Sequence, residues 1–280
     1  MDISLSELSE VKGIGKKTIQ RIREYKLADE GYISEYDESL HLDRNSVNQG
    51  DCLELMSGIP DKSVDMILAD LPYGTTVCSW DSIIPLDKLW LQYERIIKDG
   101  GAIVLTASQP FTTKLINSNL SLFKYEWVWN KVKPSTGLHA NIQPLRQHEN
   151  ILVFNDNKYN PQMENAEIRI DKPRVANNGE AFGGDDVLRQ HSNNGEKYPK
   201  SIIKFSNANQ NNKHHPTQKP VSLFEYLIKT YTNEGDLVLD NVAGSGTTGV
   251  ACQNTNRDYI LIEQEEKYID VIEDRLAGGE

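Results

Sequence analysis

Apolar runs alternate along this chain with amphipathic segments, which is the pattern of strands and helices in turn. The runs Val64–Ala69 and Ala102–Thr106 predict buried strands, and the spacing of apolar residues predicts a helix over residues 86–97 between them. The same alternation returns later, with strands predicted at 237–240 and 259–263 and helices at 221–230 and 265–276. Because strands separated by helices usually run parallel, we expect an α/β fold built on a parallel sheet.

The pattern changes in the middle of the chain. Residues 125–131 and 149–154 predict two further strands, which suit the antiparallel edge of the same sheet. From 155 to 213 the apolar periodicity fades into Asn, Gly and charged residues, and only residues 198–205 have the pattern of an ordered segment. A polar insertion of this size is usually either functional or disordered, and the pattern alone leaves both interpretations open.

The first thirty residues predict two short helices around a glycine-containing turn. Gly13 and Gly15 allow a tight turn whose backbone N–H groups face the next helix, and Lys16 and Lys17 follow directly. One interpretation is a phosphate-binding module that resembles a helix-hairpin-helix, a motif that binds the DNA backbone without sequence specificity. The other is an amphipathic hairpin with a solvated lysine face. The predicted organisation is a helical module, a linker rich in acidic residues and tyrosine, and a main domain, at 1–30, 31–44 and 45–280.

Composition and charge exclude several classes of protein for this chain. The chain has 280 residues and a formal net charge of -11. Because the protein as a whole repels a nucleic acid, any nucleic acid would have to be bound by local clusters of basic residues. No apolar run is long enough to span a bilayer, and the residues after Met1 lack the pattern of a secretory signal, so we expect an intracellular protein. The three cysteines are widely spaced and the six histidines form no zinc pattern, so we expect reduced thiols and no metal site.

The most informative segment directly follows the strand predicted at 64–69. Asp70-Leu71-Pro72-Tyr73 places a carboxylate, two backbone carbonyls and an aromatic ring at the end of that strand. Because Leu71 precedes a proline, its backbone favours extended geometry, which helps to aim the two carbonyls outward. Tyr73 can stack on a planar ring while Asp70 and a carbonyl accept the two N–H bonds of an exocyclic amine. Taken alone, the same four residues also fit an ordinary turn after a strand.

A glycine-rich turn is predicted between a strand and a helix at residues 240–249. Its glycines fit the G-x-G-x-x-G spacing of a loop that approaches a nucleotide closely, and Glu263, at the end of the next strand, is placed to bind ribose hydroxyls. We therefore expect an adenosine-bearing cofactor. On this motif alone NAD is a rival, but the only element predicted after Glu263 is one helix, which is too little for the second half of a dinucleotide site. Adenosine together with a captured amino group indicates methyl transfer.

Taken together, these motifs resemble those of amino-methylating DNA methyltransferases that use S-adenosylmethionine, of the circularly permuted group in which the catalytic motif precedes the cofactor glycines. Residues 70–73 resemble the family's Asp-Pro-Pro-Tyr, residues 240–248 its cofactor loop, and Gly50-Asp51 its adenine-binding acidic motif. Residues 129–131 resemble a late motif of its catalytic domain, and residues 215–220 the segment that closes around the methionine end of the cofactor. The resemblance implies a Rossmann-like fold with a mostly parallel seven-stranded sheet and an antiparallel edge.

The resemblance also assigns roles to residues of this sequence. The residues implied in catalysis are Asp70, Leu71, Pro72 and Tyr73. The residues implied in cofactor binding are Asp51, Cys52, Asp70, Thr217, Lys219, Asp240, Gly244, Ser245, Gly246, Thr247, Thr248 and Glu263. The residues expected to bind DNA, in the N-terminal module and in the insertion, are Gly13, Gly15, Lys16, Lys17, Lys172, Arg174 and Arg189. The insertion at 155–213 resembles a target-recognition region, whose basic and amide side chains read base edges, and a solvated disordered loop is the alternative.

Three residues depart from the family pattern. Leu71 replaces the family's first proline, which keeps the carbonyl acceptor but loses some stiffness. Asn241 and Val242 stand where the family usually has Pro and Phe, so we expect a ring contact with the cofactor to be missing. We expect cofactor affinity, rather than the identity of the reaction, to be affected.

The resemblance implies methyl transfer to an exocyclic amine of a base flipped out of double-stranded DNA. The family's cytosine members commonly carry Ser where this chain has Asp70, so we expect N6 of adenine to be the target, with N4 of cytosine as the alternative. A DNA-binding accessory protein with an inactive methylase domain and a nicotinamide oxidoreductase are rival hypotheses. By analogy with the family we also expect a bacterial or phage-borne enzyme in the cytoplasm, a homodimer, and a cognate restriction enzyme.

Overall fold

The computed structural model describes two compact units, Met1–Asn160 with Ser201–Glu280, and Pro161–Lys200. The described residues are 18, 20–22, 35–75, 81–135, 137, 140–155, 158–170, 174–177, 186–189, 192–207 and 218–278. The helical module predicted at 1–30 lies almost entirely outside these residues, so the module and its DNA contacts stay predictions.

The larger unit is built on an eight-stranded sheet. In chain order the strands are β1 Ser46–Gln49, β2 Val64–Ala69, β3 Ile97–Ala107, β4 Phe123–Ser135, β5 Arg146–Phe154, β6 Ile202–Lys204, β7 Leu237–Asp240 and β8 Asp258–Glu263. They lie in the order β1-β8-β7-β2-β3-β5-β4-β6. The pairs from β1 through β3 are parallel, and β5 is antiparallel to both β3 and β4.

The mostly parallel sheet and its antiparallel edge confirm the predicted fold class. The sheet has eight strands rather than seven because β6, which lies inside the expected insertion, pairs in parallel with β4. Its middle residue, Ile203, is 6 % exposed and packs in the core. The ordered pattern noted at 198–205 therefore marks a strand of the main sheet.

The strand β2 explains how the sequence forms the core. Ile67 and Ala69 pack on one face of the sheet and Met66 and Leu68 on the other, because successive side chains of a strand alternate. Both faces are covered, so the strand is an almost continuous apolar run. This burial fixes the strand and thereby the position of Asp70, which follows it.

Helices cover both faces of the sheet. In the described part of the chain the α-helices are α1 Cys52–Leu55, α2 Leu86–Ile96, α3 Phe111–Ser118, α4 Val221–Tyr231, α5 Thr247–Asn254 and α6 Glu266–Leu276. Trp90 of α2 and Leu115 of α3 join the core on one face, and Phe224 of α4 and Ala251 of α5 join the core on the other. None of the described helices has the length and apolar character needed to cross a bilayer.

Residues near the end of the predicted linker pack on the main unit. Leu42 is buried in the core, and its N–H donates to the carbonyl of Gly58 at 3.3 Å. A short 3-10 helix, Glu38–Leu40, precedes it. The apolar side chain of Leu42 ties this end of the predicted linker to the main unit.

The smaller unit, Pro161–Lys200, consists of short antiparallel pairs. Residues 164–165 pair with 196–197, 169–170 with 192–193, and 174–177 with 186–189. The nested pairing makes this segment a long hairpin, so the described part of the insertion is not a structureless loop. Arg174 and Arg189 are register partners in it, whereas Lys172 lies outside the described residues.

Candidate active site

Four sequence motifs meet at one cavity of about 880 Å³ in the larger unit. Asp70 directly follows β2, Asp240 ends β7 and Glu263 ends β8. Asp51 lies two residues after the end of β1. All four residues line the cavity. The carboxyl ends of parallel strands meet at the same edge of a sheet, which brings these distant residues together.

The carboxylate of Asp70 is held by hydrogen bonds to both of its oxygens. Oδ1 accepts from the hydroxyl of Tyr73 at 2.8 Å and from the hydroxyl of Thr106. Oδ2 accepts from Nζ of Lys219 at 2.6 Å. Since a carboxylate offers about four acceptor positions, these contacts fix Asp70 and leave it capacity to accept an N–H from a ligand.

Lys219 also connects Asp70 to a buried chain of alternating charges. Its Nζ lies 3.3 Å from Oε2 of Glu149, and Oε1 of Glu149 accepts from Nζ of Lys131 at 3.0 Å. Burial opposes the charge of Lys219, but Asp70 and Glu149 outweigh burial and raise the pKa of Lys219 above its ordinary value. Burial likewise opposes the charge of Glu149, but Lys219 and Lys131 lower its pKa. Lys219 and Glu149 are therefore both charged at neutral pH, and Asp70 has a permanent cationic neighbour.

The ring of Tyr73 is fixed on one side. It stacks on Phe111 with the ring centroids 5.3 Å apart and the planes inclined by 23°. Nζ of Lys219 lies 5.8 Å from the Tyr73 centroid. Burial, followed by the charges of Asp70 and Glu149, raises the pKa of the Tyr73 hydroxyl well above its ordinary value, so the hydroxyl stays a donor. Tyr73 itself lines the cavity.

The turn between β7 and α5 requires glycine. Gly244 and Gly246 have φ values of 55° and 76°, in the left-handed region that other residues avoid. A Cβ on Gly246 would also lie 2.9 Å from Cγ2 of Ile272. The turn brings Gly244, Ser245 and Thr247 to the cavity.

Glu263 is hydrogen-bonded directly to this turn. Its Oε2 accepts from the N–H of Gly244 at 2.7 Å, and its Oε1 accepts from the N–H of Glu265 at 2.8 Å. Glu263 is 8 % exposed, and burial raises the pKa of its carboxyl. Two backbone donors therefore fix a carboxylate whose remaining lone pairs suit the two hydroxyls of a ribose.

Asp240 is the most deeply buried acid of the cavity wall. It accepts from the hydroxyl of Thr248 and from the N–H of Val242 at 3.1 Å. Burial raises the pKa of Asp240 to about 7. Gly246 and Thr248, which are also predicted to bind cofactor, are not among the residues that line the cavity. The hydroxyl of Thr248 holds Asp240, and the cofactor role of both residues stays a prediction.

This buried acid makes folding stability depend on pH. The pKa of Asp240 is about 7 in the folded protein against an ordinary 3.8, so between these values the folded state holds a proton that the unfolded state has lost. Stability contributed by this group therefore falls as pH rises from about 4 to about 7 and is level above that. Asparagine does not ionise, so we expect the stability of Asp240→Asn not to include this fall with pH.

Thermal unfolding of both proteins across that pH range measures the effect. The melting temperature of Asp240→Asn minus that of the wild type should rise with pH and then level off. A difference that stays constant across the range would contradict the burial of an ionisable carboxyl at this position.

An amide adjoins the glycine turn. Asn241 is 1 % exposed, and its Oδ1 accepts from the hydroxyl of Tyr93 at 2.5 Å. Its Nδ2 has no hydrogen-bond partner among the described residues, and Asn241 lines the cavity. A buried donor without a partner costs free energy, which an acceptor on a ligand would recover. Burial raises the pKa of the nearby Cys52 thiol to about 11, so the thiol stays protonated.

The structure brings most of the predicted site together. The predicted residues that line the cavity are Asp51, Cys52, Asp70, Leu71, Pro72, Tyr73, Lys219, Asp240, Gly244, Ser245, Thr247 and Glu263. The predicted residues outside the described part of the chain are Gly13, Gly15, Lys16, Lys17, Lys172 and Thr217. The roles of both groups stay predictions.

Sequence reasoning missed three residues that hold the site, namely Thr106, Phe111 and Glu149. Thr106 lies near the end of the apolar strand β3. Asp70 is predicted because it follows an apolar strand, and the same signal could have identified Thr106. Glu149 and Phe111 carry no such signal. Their roles depend on β5 lying beside β3 and on α3 packing over Tyr73.

Sequence comparisons find one family and a set of curated relatives. The family profile N6_N4_Mtase, described as DNA methylase, matches residues 64–274. Type II methyltransferase M.HpaI of Haemophilus parainfluenzae is 27 % identical over 239 residues, which cover 80 % of this chain and 71 % of the relative. Type II methyltransferase M.HinfI of Haemophilus influenzae is 29 % identical over 266 residues, which cover 83 % and 68 %.

Solved structures share the fold. The M1.HpyAVI-SAM complex superposes with a TM-score of 0.54 at 25 % identity and covers 82 % of this chain and 99 % of that chain. The PvuII DNA methyltransferase, described as cytosine-N4-specific, superposes with a TM-score of 0.57 at 16 % identity, covering 84 % and 87 %. The second likeness supports the fold alone.

Proposed function

This chain belongs to the N6_N4_Mtase family of DNA methylases, and from that premise we propose that it methylates N6 of adenine in double-stranded DNA with S-adenosylmethionine as methyl donor. The family and the Type II relatives establish an amino-methyltransferase of DNA without distinguishing N6 of adenine from N4 of cytosine. The observation that carries the proposal is the fixed carboxylate of Asp70, which shares one cavity with the glycine turn and Glu263.

The cavity suits S-adenosylmethionine. Glu263 and Asp51 both line the cavity. The carboxylate of Glu263 is the acceptor for the ribose hydroxyls, and that of Asp51 is the acceptor for the adenine amine. The unpartnered Nδ2 of Asn241 is a buried donor that a ring nitrogen of adenine would satisfy. Gly244 allows close approach of the backbone to the ligand. When bound, the cofactor supplies a methyl group on a positively charged sulfur, which is a strong electrophile.

The residues at the end of β2 hold the nucleophile. An adenine amine is a poor nucleophile because its lone pair is delocalised into the ring. In our proposal the flipped base stacks on Tyr73 and donates its amine hydrogens to Asp70 and to the backbone carbonyl of Leu71 or Pro72. The acceptors strengthen their hold as positive charge grows on the amine nitrogen, so the protein contributes mainly positioning and electrostatic stabilisation.

The choice of adenine rests on Asp70. Its carboxylate is fixed by Tyr73, Thr106 and Lys219, and the family resemblance associates an acid at this position with adenine and a serine with cytosine. The Type II relatives also favour a cognate restriction enzyme as a partner, and the family resemblance favours a homodimer.

Analysis of DNA from cells that express the chain tests the target base. We expect mass spectrometry of hydrolysed DNA to find N6-methyladenine, and sequencing to place it in one recognition sequence. N4-methylcytosine would overturn the choice of adenine while keeping the reaction. The absence of both modified bases, with DNA binding intact, would favour the inactive accessory protein.

A further inference from the structure

The hairpin formed by β4 and β5 leads away from the rim of the cavity. Ser135, the last residue of β4, pairs with Arg146, the first residue of β5. Arg146 lines the cavity together with Asp70, and its guanidinium donates to the hydroxyl of Ser108 at 3.4 Å. The connection between the two strands therefore starts beside the place where the reacting amine is held.

This connection exposes two large aliphatic side chains. Ile142 is 80 % exposed and Leu145 is 43 % exposed. Ahead of them, the main-chain N–H of Ala140 donates to the carbonyl of Gly137 at 3.2 Å. Single exposed apolar residues are common on protein surfaces, so exposure alone assigns no role to this pair.

The charge of the surrounding sequence indicates the partner. Residues 132–148 contain Lys133 and Arg146 and no Asp or Glu, although the chain has 41 acidic residues and a net charge of -11. Lys133 and His148 are exposed on the hairpin. A basic, acid-free hairpin in an acidic protein matches the charge of the DNA backbone.

We propose that the hairpin tip at residues 140–145 enters the DNA at the target base pair, where Ile142 and Leu145 fill the space that the flipped base leaves. This inference rests on the proposed function. Flipping a base costs unstacking and unpairing energy, and apolar side chains inserted between base steps offset part of that cost. Lys133 and Arg146, which are exposed on the hairpin, hold the adjacent phosphates, while Asp70 holds the extruded base.

The test compares paired and unpaired target bases. We would measure methyl transfer by Ile142→Ala/Leu145→Ala on a duplex with the mapped recognition sequence, and on the same duplex with an abasic site opposite the target base. We expect kcat/KM to fall about tenfold on the paired duplex and to stay within about threefold of the wild type on the abasic duplex, where flipping costs less. Neither substituted side chain is part of the buried core, so the melting temperature should change little.

Leu120→Ala is the matched control. Leu120 is 42 % exposed, like Leu145, but it precedes the opposite end of β4. We expect this variant to act as the wild type on both duplexes. Equal activity of wild type and double variant on the paired duplex, or an equal loss on both duplexes, would overturn the inference. If the wild type methylated neither duplex, the proposed function itself would fail.

Discussion

Replacing Asp70 with alanine should lower the rate of methyl transfer by about a thousandfold, the scale of losing a well-placed charge-stabilising group in an active site. The variant removes the carboxylate that accepts from Tyr73, Thr106 and Lys219 and that we propose accepts from the target amine. Lys219 keeps Glu149 as an ion-pair partner, so the cavity should stay intact. Binding of S-adenosylmethionine, measured by calorimetry, should change by no more than about threefold because the proposed ribose and adenine contacts remain.

Asp236→Ala is a closely matched control for this experiment. The side chain of Asp236 is 20 % exposed and pairs with Lys158 at 2.8 Å, while that of Asp70 is 22 % exposed and pairs with Lys219 at 2.6 Å. Asp236 is not among the residues that line the cavity. We expect near-normal methyl transfer from Asp236→Ala. Near-normal transfer from Asp70→Ala would refute the catalytic role of Asp70.

Replacing Glu263 with glutamine should weaken the binding of S-adenosylmethionine by about tenfold or more. Both oxygens of Glu263 accept from backbone N–H groups, at Gly244 and Glu265, and glutamine can offer an acceptor to only one of them. The N–H of either Gly244 or Glu265 then loses its acceptor, and the ribose hydroxyls lose a carboxylate acceptor. Calorimetric titration with the cofactor measures the change in affinity.

The kinetic signature separates this effect from a loss of catalysis. Saturating cofactor should restore turnover of Glu263→Gln, so that KM for the cofactor rises while kcat is largely kept. Glu266→Gln, at the exposed start of α6, is the control and should bind cofactor normally. Unchanged cofactor affinity in Glu263→Gln would show that Glu263 does not contact the cofactor.

Much of the site could be predicted because its residues follow buried strands. Asp70, Asp240 and Glu263 each end or follow an apolar run, and the ends of parallel strands share one edge of the sheet. The glycines were predictable for a related reason, since the positive φ angles at Gly244 and Gly246 exclude most other residues. At these positions the local sequence alone predicts the place that the side chain takes in the folded sheet.

The contacts of Lys219 could not be predicted in the same way. Its motif suggested the methionine end of the cofactor, and in the structure its ammonium contacts Asp70 and Glu149. Glu149 lies on β5, between β3 and β4 in the sheet, an order that the sequence pattern does not specify. The pairing of strand β6 could not be predicted for a similar reason. Residues 198–205 have an ordered pattern, but nothing in that pattern indicates that β6 pairs with the distant β4.

We propose that this cavity is where a methyl group passes from S-adenosylmethionine to an exocyclic amine of DNA. The most direct measurement incubates the purified protein with methyl-labelled S-adenosylmethionine and unmethylated DNA, then identifies the labelled nucleoside. We expect label on N6 of adenine with the wild type and almost none with Asp70→Ala. A wild-type protein that binds the cofactor but transfers no label to DNA would contradict this proposal.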